Sequence, residues 1–498
     1  MRKKIFGVFI SSNQSTILVE RILNNGKDMA EFCIDYGTEL GCSYVEARYI
    51  NQQSRSFAYR NGEPMAGGFQ PAEGIGVRVL ADGGLGFGSF DRMEKGLAKE
   101  VIEAAYKMAK NANRKEPIDF GEPVDTEAEW RIDVDQRVSD VDNDTIMEVC
   151  NDLNEQMEGL SQYTLMMTPT EYEKYLVTNE GCKISAFKSF ILISAILTAK
   201  AKVGTEQKFF DLTKCGGWER IEETNLVDDL KDKVERLKSA AQEAEEVPEL
   251  MEQEIDMVVG HEVAGIIAHE NVGHPSEGDR IMGREGAQAG ESFWRDLDIG
   301  ESRVGSEVVN VSEDPTIPNT GGYYLYDDEG VKARKRELIK DGIANEPLLN
   351  REFGVKFGMG SNGAARCSGF NREPIIRMSN TYFEPGDHSF EELIEDVDLG
   401  VYMRSFAEWN IDDRRYQSKY KGSEAYLIKD GELTDTMIKR PVLETTSVGL
   451  LSSVDAVSDE LSLDFPGTCG KSDPMQGVPI YAGGGQIRFR NIRLGGVG

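Results

Sequence analysis

The sequence predicts an α+β protein. An α/β N-terminal domain is expected over residues 1–225, an amphipathic helix and linker over 226–250, and a mostly β C-terminal domain over 251–498 that carries one helix of unusual chemistry. Three observations predict this. Segments of helical period and of strand period alternate before residue 225. A strong amphipathic stripe then runs into Pro248, which cannot continue a helix. Beyond it the chain turns to short alternating runs punctuated by glycine, the mark of strands joined by turns.

The elements follow in order. NGKDMAEFCIDYGTELG sets Met29, Phe32, Cys33 and Tyr36 at helical spacing and stops at Gly41. SYVEARYINQ alternates like a half-buried strand, and SRSFAYRNGEP holds an Asn61-Gly62 turn of hairpin type. GIGVRVLADGGLGFGSF reads as strand, Asp-Gly-Gly turn, strand. Its Gly84, Gly86 and Gly88 imitate a dinucleotide loop, but such a loop opens a helix, and here the glycines lie in an extended stretch. Helices are expected over 94–110 and 145–160. TLMMTPTEYEKYLVTNEG and CKISAFKSFILISAILTAK read as strands around a turn. The apolar FILISAILTA is about half of the ~20 residues that cross a bilayer, so it reads as a buried strand. Over 222–246, Leu226, Val227, Leu230, Val234, Leu237, Ala241 and Ala244 form one stripe opposite dense charge. EIDMVVG is strand-like, a helix opens near His261, and EVVNVSED, GGYYLYDDEG, EAYLIKDGELTDTMI and VPIYAGGGQIRFRNIRL carry β signals.

Composition excludes several functions. The 87 acidic against 56 basic residues leave a net charge of −31, which disfavours gripping nucleic acid phosphates. An apolar share of 39% is enough for real cores. MRKKIFGVFISS imitates a signal peptide, but its apolar core is short of the usual ~7–15 residues and no small-residue cleavage site follows. Seven cysteines scattered through the chain do not look like a disulfide framework, so a reducing cytoplasm is expected, and with no apolar run near ~20 residues no membrane partner is expected.

Three of the four histidines, His261, His269 and His274, crowd into one short stretch, HEVAGIIAHENVGH. His261 and His269 are eight apart, ~12 Å along an α-helix, too far to share one ion. His269 and His274 are five apart, and an ideal helix separates them by ~7.5 Å and ~140°. A wide, π-like last turn would bring residues five apart to nearly one face. Gly273 tolerates such a distortion, and Pro275 pushes the residue before it out of the α region. Two histidines do not complete a catalytic zinc site, which usually has three protein ligands. His388, a carboxylate such as Glu277 or Asp279, and Cys469 in DFPGTCGK are the candidates for the third. Glu270, beside a ligand, is within reach of the water in the fourth position and would act as general base. Taken alone, Cys469 reads as an inert buried thiol. His261 and Glu262 read as a helix start or a group supporting the ligands.

HENVGHPSEGD resembles the HExxxH…EGD stretch of the TldD/PmbA metallopeptidases, and PGTCGK resembles their cysteine-bearing turn. YDDEGVKARKRELIKDG, RMSNTY, SEAYLIKDGELT and GVRVLADGGLGFGSF are similar to other landmarks of that family, so the resemblance spans almost the full chain. It implies zinc held by His269, His274 and Cys469, with Glu270 catalytic. It implies an α/β N-terminal and a largely β C-terminal domain, and an active site in a cavity enclosed by a dimer. The family cleaves extended, unstructured peptides and is linked to maturation of modified peptide antibiotics and to degradation of an antitoxin. TldD pairs with a PmbA/TldE relative that lacks the metal motif. This chain keeps the motif and so resembles the TldD side, as a homodimer or a heterodimer. His261-Glu262 and Pro275 depart from the family pattern. The alternative is a non-catalytic, peptide-binding subunit that supports a peptidase partner.

Overall fold

The computed structural model describes residues 12–65, 67–202, 204–286 and 290–495; the segment that imitates a signal peptide lies outside them, save its last residue. The N-terminal half is built on a nine-stranded sheet whose strands all fall between Tyr44 and Cys215. Its centre is the expected strand pair, Gln162–Thr178 and Lys183–Lys200, running antiparallel from Gln162↔Thr198 to Val177↔Lys183. The apolar run in the second of these strands splits by strand period. Ile191, Ile193, Ala195 and Leu197 enter a core with Ile146, Cys150 and Leu153 of the helix Asn143–Gln156. Leu192 and Ser194, on the other face, line a cavity instead. The strand is therefore buried on one face against helices and open on the other to the site described below.

The helices Ser12–Glu39 and Lys95–Asn111 pack near the opposite end of the sheet, Ala30, Cys33, Ala98, Ile102 and Ala105 meeting Val45, Ala47, Val77 and Val79. The glycines that imitate a nucleotide loop have their explanation here. A Cβ on Gly86 would stand 1.9 Å from the Ala105 carbonyl oxygen and one on Gly84 2.0 Å from that of Ala109. They are strand residues, in Gly84–Phe90, over which a helix passes at backbone contact.

The amphipathic helix runs over Leu226–Glu243, shorter than the expected 222–246 because the chain becomes extended at Ala244 and Glu245 bridges to Ile438. Its Leu226, Leu230, Val234, Leu237 and Ala241 bury against the N-terminal sheet. From its other side Arg236 Nε reaches Glu424 Oε2 of the C-terminal half at 3.1 Å.

From Ile255 onward two main sheets form. In one, Ile255–Val259 lies between Leu399–Ile411, to which it is parallel, and Ile487–Ile492. In the other, Asn380–Phe383, Gln476–Gly484 and Ser462–Lys471 are neighbours, the last at the edge. The chain leaves Val259 through Gly260 directly into the helix His261–Ile267. That helix is wedged so tightly that a Cβ on Gly265 would lie 2.9 Å from the Gly483 nitrogen. Val263, Ala264, Ile266, Ile267 and Ala268 join the main C-terminal core. The architecture is mixed α/β, sheets dominating, in an α+β two-domain arrangement. No helix among the described residues is long and apolar enough to cross a membrane.

Candidate metal centre

The helix that starts at His261 widens where the motif begins: Ala268–Gly273 is a π-helical turn. Its backbone bond runs from the His274 N–H to the His269 carbonyl, 3.0 Å, so the bond of the wide turn joins the two histidines themselves. One expectation about this exit fails. His274 stays in the α region, at φ −60° and ψ −42°, although proline follows. In a tight α turn the Pro275 ring would collide with the carbonyl four residues back. The wide turn removes that collision without unwinding His274. Asn271 pins the turn from inside: buried completely, it donates to Ser418 Oγ at 3.1 Å and Ser447 Oγ at 2.7 Å, and accepts from the Tyr420 hydroxyl.

The two imidazoles meet edge to face, their centroids 4.8 Å apart. The third group is Cys469, whose Sγ lies 3.5 Å from His274 Nε2. Potential ligand atoms of His269, His274 and Cys469 all lie within 4.8 Å of one another, and all three residues are buried. Tetrahedral zinc with two nitrogen donors and one sulfur would set such atoms ~3.3–3.6 Å apart, so the set could hold one ion once its widest pair closes by up to about 1 Å. Burial alone would raise the Cys469 thiol, but His274, His269 and Arg377 beside it hold it well below the usual thiol range. The thiolate favoured there is the metal-binding form.

The other candidates for a third ligand stand elsewhere. His388 is half-exposed beside Asp387, and it is outside the three-residue cluster. Glu277 backs His274: the ring Nδ1 donates to Glu277 Oε2 at 2.9 Å, which orients Nε2 toward Cys469. Arg280 Nε donates to the same oxygen at 2.7 Å. Asp279 takes Lys471 Nζ at 2.8 and 2.7 Å, and Lys471 also lies 3.3 Å from Glu277 Oε1. Lys471 stands two residues beyond Cys469 on the edge strand, so these ion pairs bind that strand to the loop after the histidines.

Glu270 faces the same cavity, about 550 Å³ in volume, that His269, His274 and Cys469 line. Its carboxylate accepts from Trp409 Nε1 at 3.1 Å and Arg415 Nη1 at 2.7 Å. Sequence reasoning missed both donors, as well as Asn271. They sit at the tip of the pair Leu399–Ile411 and Gln417–Lys429, where Arg415 has φ +59°. The DDRR run between two β patterns was the available signal. His261 and Glu262 are engaged outside the cluster: His261 Nδ1 with the Gly484 carbonyl at 2.8 Å, and Glu262 with Lys208 Nζ at 3.1 Å.

Comparison with known proteins matches this architecture. The PmbA/TldA metallopeptidase C-terminal domain matches residues 252–496, and domain 1 of the same group matches residues 45–109. A metalloprotease of Methanocaldococcus jannaschii is 32% identical over 456 residues, covering 89% of this chain and 95% of its own. The chain belongs to the TldD/PmbA family of metallopeptidases. A protein of Saccharolobus solfataricus named zinc metalloprotease TldD homolog is 24% identical over 473 residues, 92% of this chain and 98% of its own. Among solved structures, TldE from Thermococcus kodakarensis superposes with a TM-score of 0.72 at 17% identity, covering 94% of this chain and 100% of its own. At that identity the likeness is one of fold.

Proposed function

We propose that this TldD/PmbA member is a zinc-dependent peptidase acting on small or unfolded peptides. His269, His274 and Cys469 would hold the ion and Glu270 would be the catalytic base. One observation carries the reading: a π turn, an edge strand and an ion-pair network converge to bring two imidazoles and a buried thiol together beside a buried glutamate. Bound zinc would supply a Lewis acid that polarises the scissile carbonyl and acidifies water.

The chain's own groups do the rest. Glu277 keeps His274 Nδ1 protonated, so Nε2 presents a lone pair. Trp409 and Arg415 fix the plane of the Glu270 carboxylate and leave lone pairs on both oxygens to receive a proton. Glu270 would take that proton from the attacking water and hand it to the leaving amine. Phe406, Phe465 and Leu192 give the cavity apolar walls that limit water around the reacting bond.

A dimer, with a second copy or with a TldE-like relative, would enclose the cavity; the fold likeness to TldE supports that pairing. The seven free thiols support a reducing, cytoplasmic setting. The division at 226–250 belongs to the same proposal, supported by sheets that draw their strands from either side of it. A second reading, a non-catalytic peptide-binding subunit, is favoured by the double engagement of Glu270 alone. Glu270→Gln separates the two. A peptidase loses turnover on an unfolded peptide, by roughly 100-fold or more, and keeps its zinc. Undiminished cleavage would remove Glu270 as base.

A further inference from the structure

The cavity at the metal centre adjoins a second one of about 300 Å³, and Leu192 and Thr468 line both. Thr468 immediately precedes Cys469. The wall of the second cavity carries three buried cations, Lys174, Lys188 and Arg366. Lys174 is matched: its Nζ lies 2.6 Å from Asp328 Oδ1. The other two are not. Lys188 donates to the carbonyls of Gly321 and Tyr323 at 2.6 and 3.1 Å, and Arg366 to those of Met378 and Pro479 at 2.6 and 2.9 Å. Among the described residues neither has a carboxylate within the 4.0 Å of an ion pair.

Carbonyls satisfy the donors but leave the charge uncompensated, which is costly away from water. The remaining acid on the wall does not supply it. Asp327 is turned onto the backbone amides of Glu329, Val331 and Ala365. Burial and the neighbouring Glu329 raise it above the ordinary carboxylate range, so it is a poor counter-ion for the two cations. Tyr172, Tyr323 and Phe190 line the space around the cations, leaving room for an organic group and not only a small ion.

We propose that this second cavity is a subsite for a carboxylate of the peptide substrate, held by Lys188 and Arg366. It rests on the peptidase reading, because its wall is continuous with that of the metal cavity. The carboxylate is either the peptide's C-terminus or an acidic side chain, and both present the same planar anion to the two cations.

Full-length, zinc-loaded protein and four versions of one unfolded hexapeptide test this: a C-terminal acid or amide, crossed with glutamates or glutamines at its internal positions. Binding is measured on Glu270→Gln protein and cleavage on the unsubstituted enzyme. Removing the recognised carboxylate weakens binding by roughly 10- to 100-fold, and the substitution responsible names its source. Lys188→Met erases the difference, while Arg366→Lys, which keeps the charge, retains part of it. Equal binding of all four peptides overturns the inference, and that comparison needs no altered pocket to fold. The two readings fail separately. Cleavage indifferent to every carboxylate sinks the subsite alone; carboxylate-selective binding without any cleavage sinks the peptidase.

Discussion

Cys469 Sγ stands 3.5 Å from His274 Nε2, although 195 residues separate them along the chain. The contact depends on an edge strand docking against a distorted helix exit. Cys469→Ala should therefore weaken zinc binding by more than the ~10- to 100-fold that loss of a supporting partner brings. Metal analysis after dialysis against a weak chelator measures it; unchanged occupancy would take Cys469 out of the ligand set.

Glu277 supports the same site from behind. Replacing it with glutamine removes the charge that Arg280 and Lys471 share, but Lys471 keeps Asp279 and Arg280 keeps Glu285, so the loss should fall below the about 3–5 kcal/mol of a buried charge left wholly unpaired. It also gives His274 Nδ1 a neutral acceptor in place of a charged one, and zinc affinity should fall by up to ~10- to 100-fold. Thermal unfolding and metal titration should both respond. Loss of stability at full zinc affinity would show that Glu277 only braces the loop.

Arg415→Met tests the positioning of Glu270. Misplacing a catalytic group by about 1 Å costs ~100-fold, so kcat should fall by about 10- to 100-fold while zinc content holds. Trp409→Phe keeps the ring, loses one hydrogen bond, and should cost less. Faster turnover in Arg415→Met would instead mark the ion pair as a restraint on Glu270.

Acid stability should carry the mark of Asp328. Burial opposes its charge, but Lys174 and Arg48 beside it lower it to about 2, below its ordinary 3.8. A folded-state pKa depressed in this way contributes stability that is fully present above the unfolded value and is lost as pH falls through the folded one. The window is pH 4 to 2 and the contribution about 2 kcal/mol. Denaturant titrations across that window should show a shallower acid loss in Asp328→Asn. An identical slope in both proteins would assign the acid response to other carboxylates.

Much of this was readable in residue order. The helix at Lys95–Asn111, the strand pair Gln162–Thr178 and Lys183–Lys200, and the amphipathic helix all follow from local apolar period. The π turn was legible too, because five-residue spacing with glycine and proline at the exit leaves few geometries that join His269 to His274. Period could not reveal which face of Lys183–Lys200 would meet a cavity, since alternation separates two faces without saying what each one touches. Nor could it assign Glu277, which in residue order stands only as a candidate third ligand; its bracing of His274 depends on the ring atom it faces.

The sequence by itself determined the elements, the crowding of His269, Glu270 and His274, and the need for a distorted helix end, because these depend on neighbours within a few residues. Tertiary structure alone decided that Cys469 comes to His274, that Lys471 ties its strand to Glu277 and Asp279, that Arg415 and Trp409 hold Glu270, and that Lys188 and Arg366 share a cavity without a counter-ion. Those contacts join segments far apart in the chain, and they form only when two sheets close on one helix and exclude water between them.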